Sequence, residues 1–159
     1  MRAPLTVFAI AATSLALAAC QPPAPKGIDA QILHDAISDA IGDPNTCVLI
    51  VEKGGGKMVF RYGEPTTCAI ARPACDDAGG MISTEELGEK AAAGDVRTRS
   101  CDALGEAGDR VGWASGPITP SPGAQYGDLV YAANMQGPSV LPGREIKVRV
   151  ESAFRKAGM

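Results

Sequence analysis

The sequence predicts an α+β domain: a single small antiparallel sheet of four to five strands, N- and C-terminal helices packed on it, and disulfides holding it together. Three observations carry this reading. Apolar residues recur at helical spacing near both ends of the domain, through Ile32–Ile41 and through Ile146–Ala157. Between them, short runs rich in β-formers are separated by turns bearing glycine and proline. Finally, Cys47, Cys68, Cys75 and Cys101 are spread through a domain whose only aromatic residues are Phe60, Tyr62, Trp113, Tyr126, Tyr131 and Phe154. A core so thin in large side chains gains from cross-links.

The elements follow in chain order. Asp29 is an N-cap for a helix ending at Ile41, with Ile32, Leu33, Ala36, Ile37, Ala40 and Ile41 as its stripe and Gly42 and Pro44 as its stop. Cys47–Val51 is a buried-strand run, Glu52–Lys57 a turn, and Met58–Tyr62 the return strand of a β-hairpin. Gly54-Gly55-Gly56 lacks the spacing of a phosphate loop and leads into a strand, so it belongs to the turn. Residues 63–80 read as irregular, with Asp76-Asp77 beside Gly79-Gly80 as turn chemistry rather than a calcium loop. Ser83 and Glu86 form a capping box opening a short helix to Ala93, whose meagre apolar face of Leu87 and Ala91 marks it as a surface helix. Val96–Cys101 is an edge strand, and Arg110–Gly116 and Leu129–Met135 are further strands. Thr119–Gly127 and Gly137–Gly143 are loops. Arg144–Ala157 is the last helix; Ile146, Val148 and Val150 also alternate, but the length of the pattern favours helix. Its basic residues read as a solvated face.

The first twenty residues are of a different kind. Arg2 is their one charge, and Pro4–Ala19 is apolar apart from Thr6, Thr13 and Ser14. The run is shorter than the ~20 residues of a membrane span and ends in Leu17-Ala18-Ala19-Cys20. That tetrapeptide resembles the lipoprotein signal of bacteria, in which the cysteine is acylated and becomes the mature N-terminus. The resemblance implies a signal peptide over 1–19, lipidation of Cys20 and a cell-envelope address. Gln21, where the family's inner-membrane retention signal has Asp, implies the periplasmic face of the outer membrane. Residues 20–27, rich in proline, then form a tether that holds the domain, 28–159, about 20 Å off the bilayer.

Composition excludes some functions. Lys and Arg number 15 against 18 Asp and Glu, and Arg2 leaves with the signal, so the remainder is mildly acidic and unsuited to nucleic acid. Four cysteines in an exported chain suggest two disulfides, with three connectivities open. No Cys-x-x-Cys spacing supports a zinc site. His34 lies off the apolar stripe and reads as a surface residue, and Ser115 lacks the frame of a nucleophile elbow. No catalytic, metal or cofactor residues are assigned.

A second resemblance covers parts of the domain. Val130-Tyr131-Ala132-Ala133-Asn134-Met135, then Leu141-Pro142-Gly143-Arg144-Glu145-Ile146, resembles the last strand and helix of class D β-lactamases, and Gly112-Trp113 a Gly-Trp strand there. The order helix, hairpin, irregular middle, strands, helix is similar to the α/β half of serine β-lactamases and penicillin-binding transpeptidases. Pro73-Ala74-Cys75 falls where that family has Pro-Ala-Ser with its nucleophile, and Arg99-Ser100-Cys101 resembles its Lys-Thr/Ser-Gly strand. The departures are chemical. The nucleophile's lysine, one helical turn on, is replaced by Ala78, and no Ser-x-x-Lys occurs in the chain. Too few residues separate Cys75 from Arg99 to hold the family's helical domain. The resemblance implies the sheet half without the chemistry, and pairs Cys47 with Cys68 and Cys75 with Cys101. An unrelated small α+β domain, profilin-like or roadblock-like in shape, is the alternative.

The functional expectation is an outer-membrane-anchored periplasmic lipoprotein acting as a non-enzymatic binding or scaffolding module. Its partners would be the membrane, through the lipid, and an envelope protein or peptidoglycan. A degenerate penicillin-recognising protein using Cys75 or Ser115, or a small-ligand sensor between sheet and terminal helix, are the alternatives.

Overall fold

The run Cys47-Val48-Leu49-Ile50-Val51 is β-branched and apolar on both sides, which suits a strand covered on two faces. In the computed structural model, which describes residues 24–105 and 108–159, it forms β1 (Cys47–Glu52), followed by β2 (Met58–Tyr62). Gly54 and Gly56, with φ of 81° and 65°, turn the hairpin, and Glu52 N–H donates to the Lys57 carbonyl at 2.9 Å. The later strands are β5 (Arg97–Asp102), β6 (Arg110–Pro117) and β7 (Leu129–Gly137), after a small pair, β3 (Arg72–Pro73) and β4 (Met81–Ile82). The main sheet has the order β2-β1-β7-β6-β5, every neighbouring pair antiparallel. β7 therefore returns to lie beside β1, and β5 is left at an edge.

The pleat sorts side chains between two layers. On one face Val48, Ile50, Phe60, Leu129, Tyr131, Ala133 and Met135 meet α1 (Ala30–Ile41) and α4 (Gly143–Lys156), which contribute Leu33, Ile37, Ile41, Ile146, Val150 and Phe154. Asp29 caps α1, its carboxylate accepting from Gln31 and Ile32 N–H at 2.8 and 3.0 Å. On the other face Leu49, Val51, Val130 and Ala132 meet α3 (Thr84–Ala92) and the segment before it, through Leu87, Ala91, Ala92, Ala74 and Ile82. Trp113 lies on this face, fully buried, its indole N–H donating to the Pro73 carbonyl at 2.7 Å.

Several expectations change. The helix from the capping box, α3, is not a surface helix: Thr84, Leu87, Gly88, Ala91 and Ala92 are all buried. Its small residues let it sit close to β1, so a narrow apolar face suffices. Residues 63–80 are less irregular than expected, since Pro65 opens a short helix, α2 (Pro65–Ala69). Arg72 is buried, donating to Gln136 at 2.6 Å and to the carbonyls of Thr67 and Ile70 at 3.0 and 3.1 Å, which ties α2 to the end of β7. Burial pulls its pKa below the ordinary guanidinium value. The alternation at Ile146–Val150 is helix throughout. Ile32, expected on the buried stripe of α1, is 55% exposed. Ala24–Gly27, expected as part of the free tether, fold onto the domain: Pro25 is buried, Ile28 N–H donates to its carbonyl at 2.9 Å, and Ala24 and Ile28 pack on the core.

Cys47 is bonded to Cys68 and Cys75 to Cys101, with Cα–Cα distances of 5.3 Å in both. The first joins β1 to α2, the second the β3–β4 turn to β5, and each spans the thin layer. For sequence separations of 21 and 26 residues, the chain-entropy model assigns about 3 kcal/mol to each bond.

Two glycines separate close packing from mere helix placement. A Cβ on Gly143 would stand 2.5 Å from the Trp113 carbonyl oxygen and 2.6 Å from that of Arg99, so α4 starts hard against the backbone of β5 and β6. A Cβ on Gly88 would meet Val51 Cγ1 at 3.5 Å and Leu49 Cδ1 at 3.9 Å, both ordinary contacts. Denaturant unfolding is expected to show Gly143→Ala destabilised by about 1–3 kcal/mol and Gly88→Ala stabilised by up to about 1 kcal/mol.

Candidate functional site

α1 stops at Gly42 and Pro44 because neither continues a helix, and the chain re-enters the sheet through Thr46. β2 leaves at Tyr62 through Gly63, whose φ of 94° and contact with the Thr46 carbonyl admit no side chain. These two crossings, with the start of α2, bound a polar cleft of about 650 Å³ lined by His34, Asp43, Thr46, Arg61, Tyr62 and Glu64, among others. The Cys47–Cys68 bond lies beside it and fixes the start of β1 against α2.

His34 is half-buried rather than fully solvated. Its ring lies 5.0 Å from that of Tyr62, and Nδ1 is 3.3 Å from Asp35. Hydrogen bonds from Gln31 and then His34 hold the Asp35 carboxyl below its usual range. Among the described residues, Arg61, Asp43 and Glu64 enter no ion pair, so the cleft presents separated charges of both signs. Such a lining suits recognition of a polar or zwitterionic group. It brings no activated nucleophile against His34.

The other residues singled out from sequence are otherwise engaged. Cys75 carries no thiol, being bonded to Cys101. Ser115 is fully buried and acts structurally, accepting from Arg97 N–H and donating to the Asp95 carbonyl, both at 3.1 Å. Cys20 lies outside the described residues. A smaller groove of about 320 Å³ follows β5, lined by Asp76, Asp95, Arg97 and Arg99, among others. Arg97 donates to Asp95 at 2.6 Å, while Asp76 Oδ1 and Arg97 Nε are buried without partners. Ile146, Val150, Ala153 and Phe154 fill the face between the sheet and α4, and a hollow of about 430 Å³ opens beside it, between residues 117–122 and Lys147, Glu151, Phe154, Arg155 and Met159.

Sequence reasoning missed Arg61, Asp43 and Glu64 as a group because they come from three separate connections, and no spacing links them. No protein-family model, curated protein or solved structure matches the chain. Fold and site together define an α+β domain cross-linked by two disulfides, with a mixed-charge cleft at one end of its sheet. Among the described residues, no helix is long and apolar enough to cross a membrane.

One buried group gives the domain a pH dependence. Tyr131 is fully buried, edge-on to Phe154 with ring centroids 5.4 Å apart, and its hydroxyl donates to Glu151 at 3.3 Å while Lys147 pairs with the same carboxylate. Burial, then the Glu151 charge and hydrogen bond, push the hydroxyl far above the ordinary tyrosine range. The unfolded chain releases this proton at about pH 10, so stability is whole below that pH and declines as pH rises beyond it. The chain has three tyrosines, and denaturation is expected to raise the tyrosinate absorbance near about pH 10 by an increment that Tyr131→Phe removes, the signal of the other two remaining.

Proposed function

We propose that the chain is an exported lipoprotein, held by acylated Cys20 at the periplasmic face of the outer membrane, whose domain is a non-enzymatic binding or scaffolding module of the cell envelope. One observation carries the reading. Of the five cysteines, four are spent in two disulfides within the domain, so Cys20 is the one outside them and it stands at the end of the Leu-Ala-Ala-Cys motif. Two formed disulfides accord with an oxidising compartment, and the motif with acylation, since two or more acyl chains are needed for stable anchorage. The mixed-charge cleft of His34, Asp43, Arg61 and Glu64 is the surface on which an envelope protein or peptidoglycan would be recognised.

Intact mass of the membrane-extracted protein is expected to show an acylated N-terminal cysteine and no alkylation before reduction, with Cys20→Ser releasing the protein to the soluble fraction. Crosslinking in cells is expected to recover an envelope protein or glycan, and Arg61→Glu with Glu64→Arg to reduce that yield at least tenfold. A soluble, unacylated wild type, or no crosslinked product at all, counts against the reading.

The strand order β2-β1-β7-β6-β5 between terminal helices supports a second reading, a degenerate relative of penicillin-recognising enzymes retaining the sheet half. With Cys75 in a disulfide and Ser115 buried, such a relative would bind without acylation. Covalent labelling by a fluorescent penicillin is therefore expected to fail, and labelling at either residue would restore an enzymatic assignment.

A further inference from the structure

The strands and helices run so that one end of the domain collects most of its lysines. β1 ends there at Glu52–Lys53, beside Leu129 at the start of β7. The β1–β2 turn carries Lys53 and Lys57. Gly54 N–H donates to the Ala92 carbonyl at 3.0 Å, which brings the last turn of α3, with Lys90, to the same end. The Ser121 hydroxyl donates to the Met159 carbonyl, which brings in the last turn of α4, with Arg155 and Lys156. Lys26 lines a hollow with Glu52, Lys53, Gln125 and Asp128. Lys26, Lys53, Lys57, Lys90 and Lys156 thus stand at this end, and Lys147 lines the adjoining hollow with Ser121, Arg155 and Met159. The acidic residues interspersed there are Asp29, Glu52, Glu89, Asp95 and Asp128, with Glu151 in the adjoining hollow; Asp29 caps α1, Glu52 lies 3.8 Å from Lys57, Asp95 is taken by Arg97 and Glu151 by Lys147.

The chain also enters the domain at this end. Ala24 and Pro25 are docked, with Gly27, at φ 84°, against Gln125. Only Gln21, Pro22 and Pro23 separate Cys20 from Ala24, a reach of at most about 14 Å when fully extended. A free tether over residues 20–27 would let the domain tumble; three residues do not.

We propose that the lysine-bearing end of the domain is a membrane-contact face, seated on anionic phospholipid headgroups by Lys26, Lys53, Lys57, Lys90, Arg155 and Lys156. The inference rests on the anchored reading of Cys20 and deepens it by giving the domain an orientation. α1 runs from this end to the cleft, and its 12 residues span about 18 Å, so the cleft of His34, Arg61 and Glu64 is carried away from the bilayer, toward partners in the periplasmic space.

The test couples the mature, oxidised chain through Cys20, its one thiol outside the disulfides, to a maleimide-bearing lipid in phosphatidylethanolamine–phosphatidylglycerol vesicles. Coupling by chemistry makes the result independent of whether cells acylate Cys20, which the intact mass decides separately. Lysine acetylation is then read by mass spectrometry against the uncoupled protein. The expected result is at least threefold slower modification of Lys26, Lys53, Lys57 and Lys156. In phosphatidylcholine vesicles, or with Lys53→Glu and Lys57→Glu, protection of Lys26 and Lys156 is expected to fall below twofold. Rates equal to those of the uncoupled protein, or protection indifferent to lipid charge and to the Lys→Glu changes, would overturn the proposal.

Discussion

The burial of β7 on both faces is the constraint on which the rest of the structure depends. Leu129, Tyr131, Ala133 and Met135 point to one layer and Val130 and Ala132 to the other, and all are buried. A strand in that position needs cover on each side. The α1–α4 face supplies it with branched and aromatic side chains. The opposite face has only the nine residues of α3, the short α2 and the β3–β4 pair. Its contacts are made by Leu87 and Ile82 and by small residues such as Ala74, Ala91 and Ala92, which bury little apolar area. The two disulfides sit in this weaker layer, and their contribution is large beside a typical net stability of 5–15 kcal/mol.

The same arrangement organises the surface. Joining α2 to the start of β1 holds the wall of the polar cleft at one end of the sheet. The β1–β2 turn, the loop before β7 and the docked Ala24–Gly27 segment gather at the other end. A two-ended domain follows from the antiparallel order: connections alternate between the ends, so charged turn residues are sorted into two groups. Arg72 stabilises the cleft end from inside by hydrogen bonds to neutral carbonyls and, among the described residues, enters no ion pair.

Most of the fold was legible in the sequence. Asp29 and Ser83–Glu86 announced the two helix starts because capping is local chemistry, and the Gly-rich turn announced the hairpin for the same reason. What misled was burial. α3 read as a surface helix because Leu87 and Ala91 look too little to bury, yet Gly88 and Ala92 let it approach β1 closely enough to be covered. Ala24–Gly27 read as tether because prolines dominate its composition, and only contact with Gln125 and the core revealed it as folded. α2 escaped notice because five residues carry no period, although Pro65 at its first position was a signal.

By itself, the sequence determined the class of the domain, the position of nearly every strand and helix, and the parity of cysteines that leaves Cys20 apart. These depend on spacing, capping and counting, all of which are properties of neighbouring residues. The tertiary structure decided what depends on distance: which cysteines pair, that Ser115 and Cys75 are engaged, that Arg61, Asp43 and Glu64 share one cleft, and that the lysines share one end. No local pattern encodes those, because each brings together residues from connections that only the strand order makes adjacent.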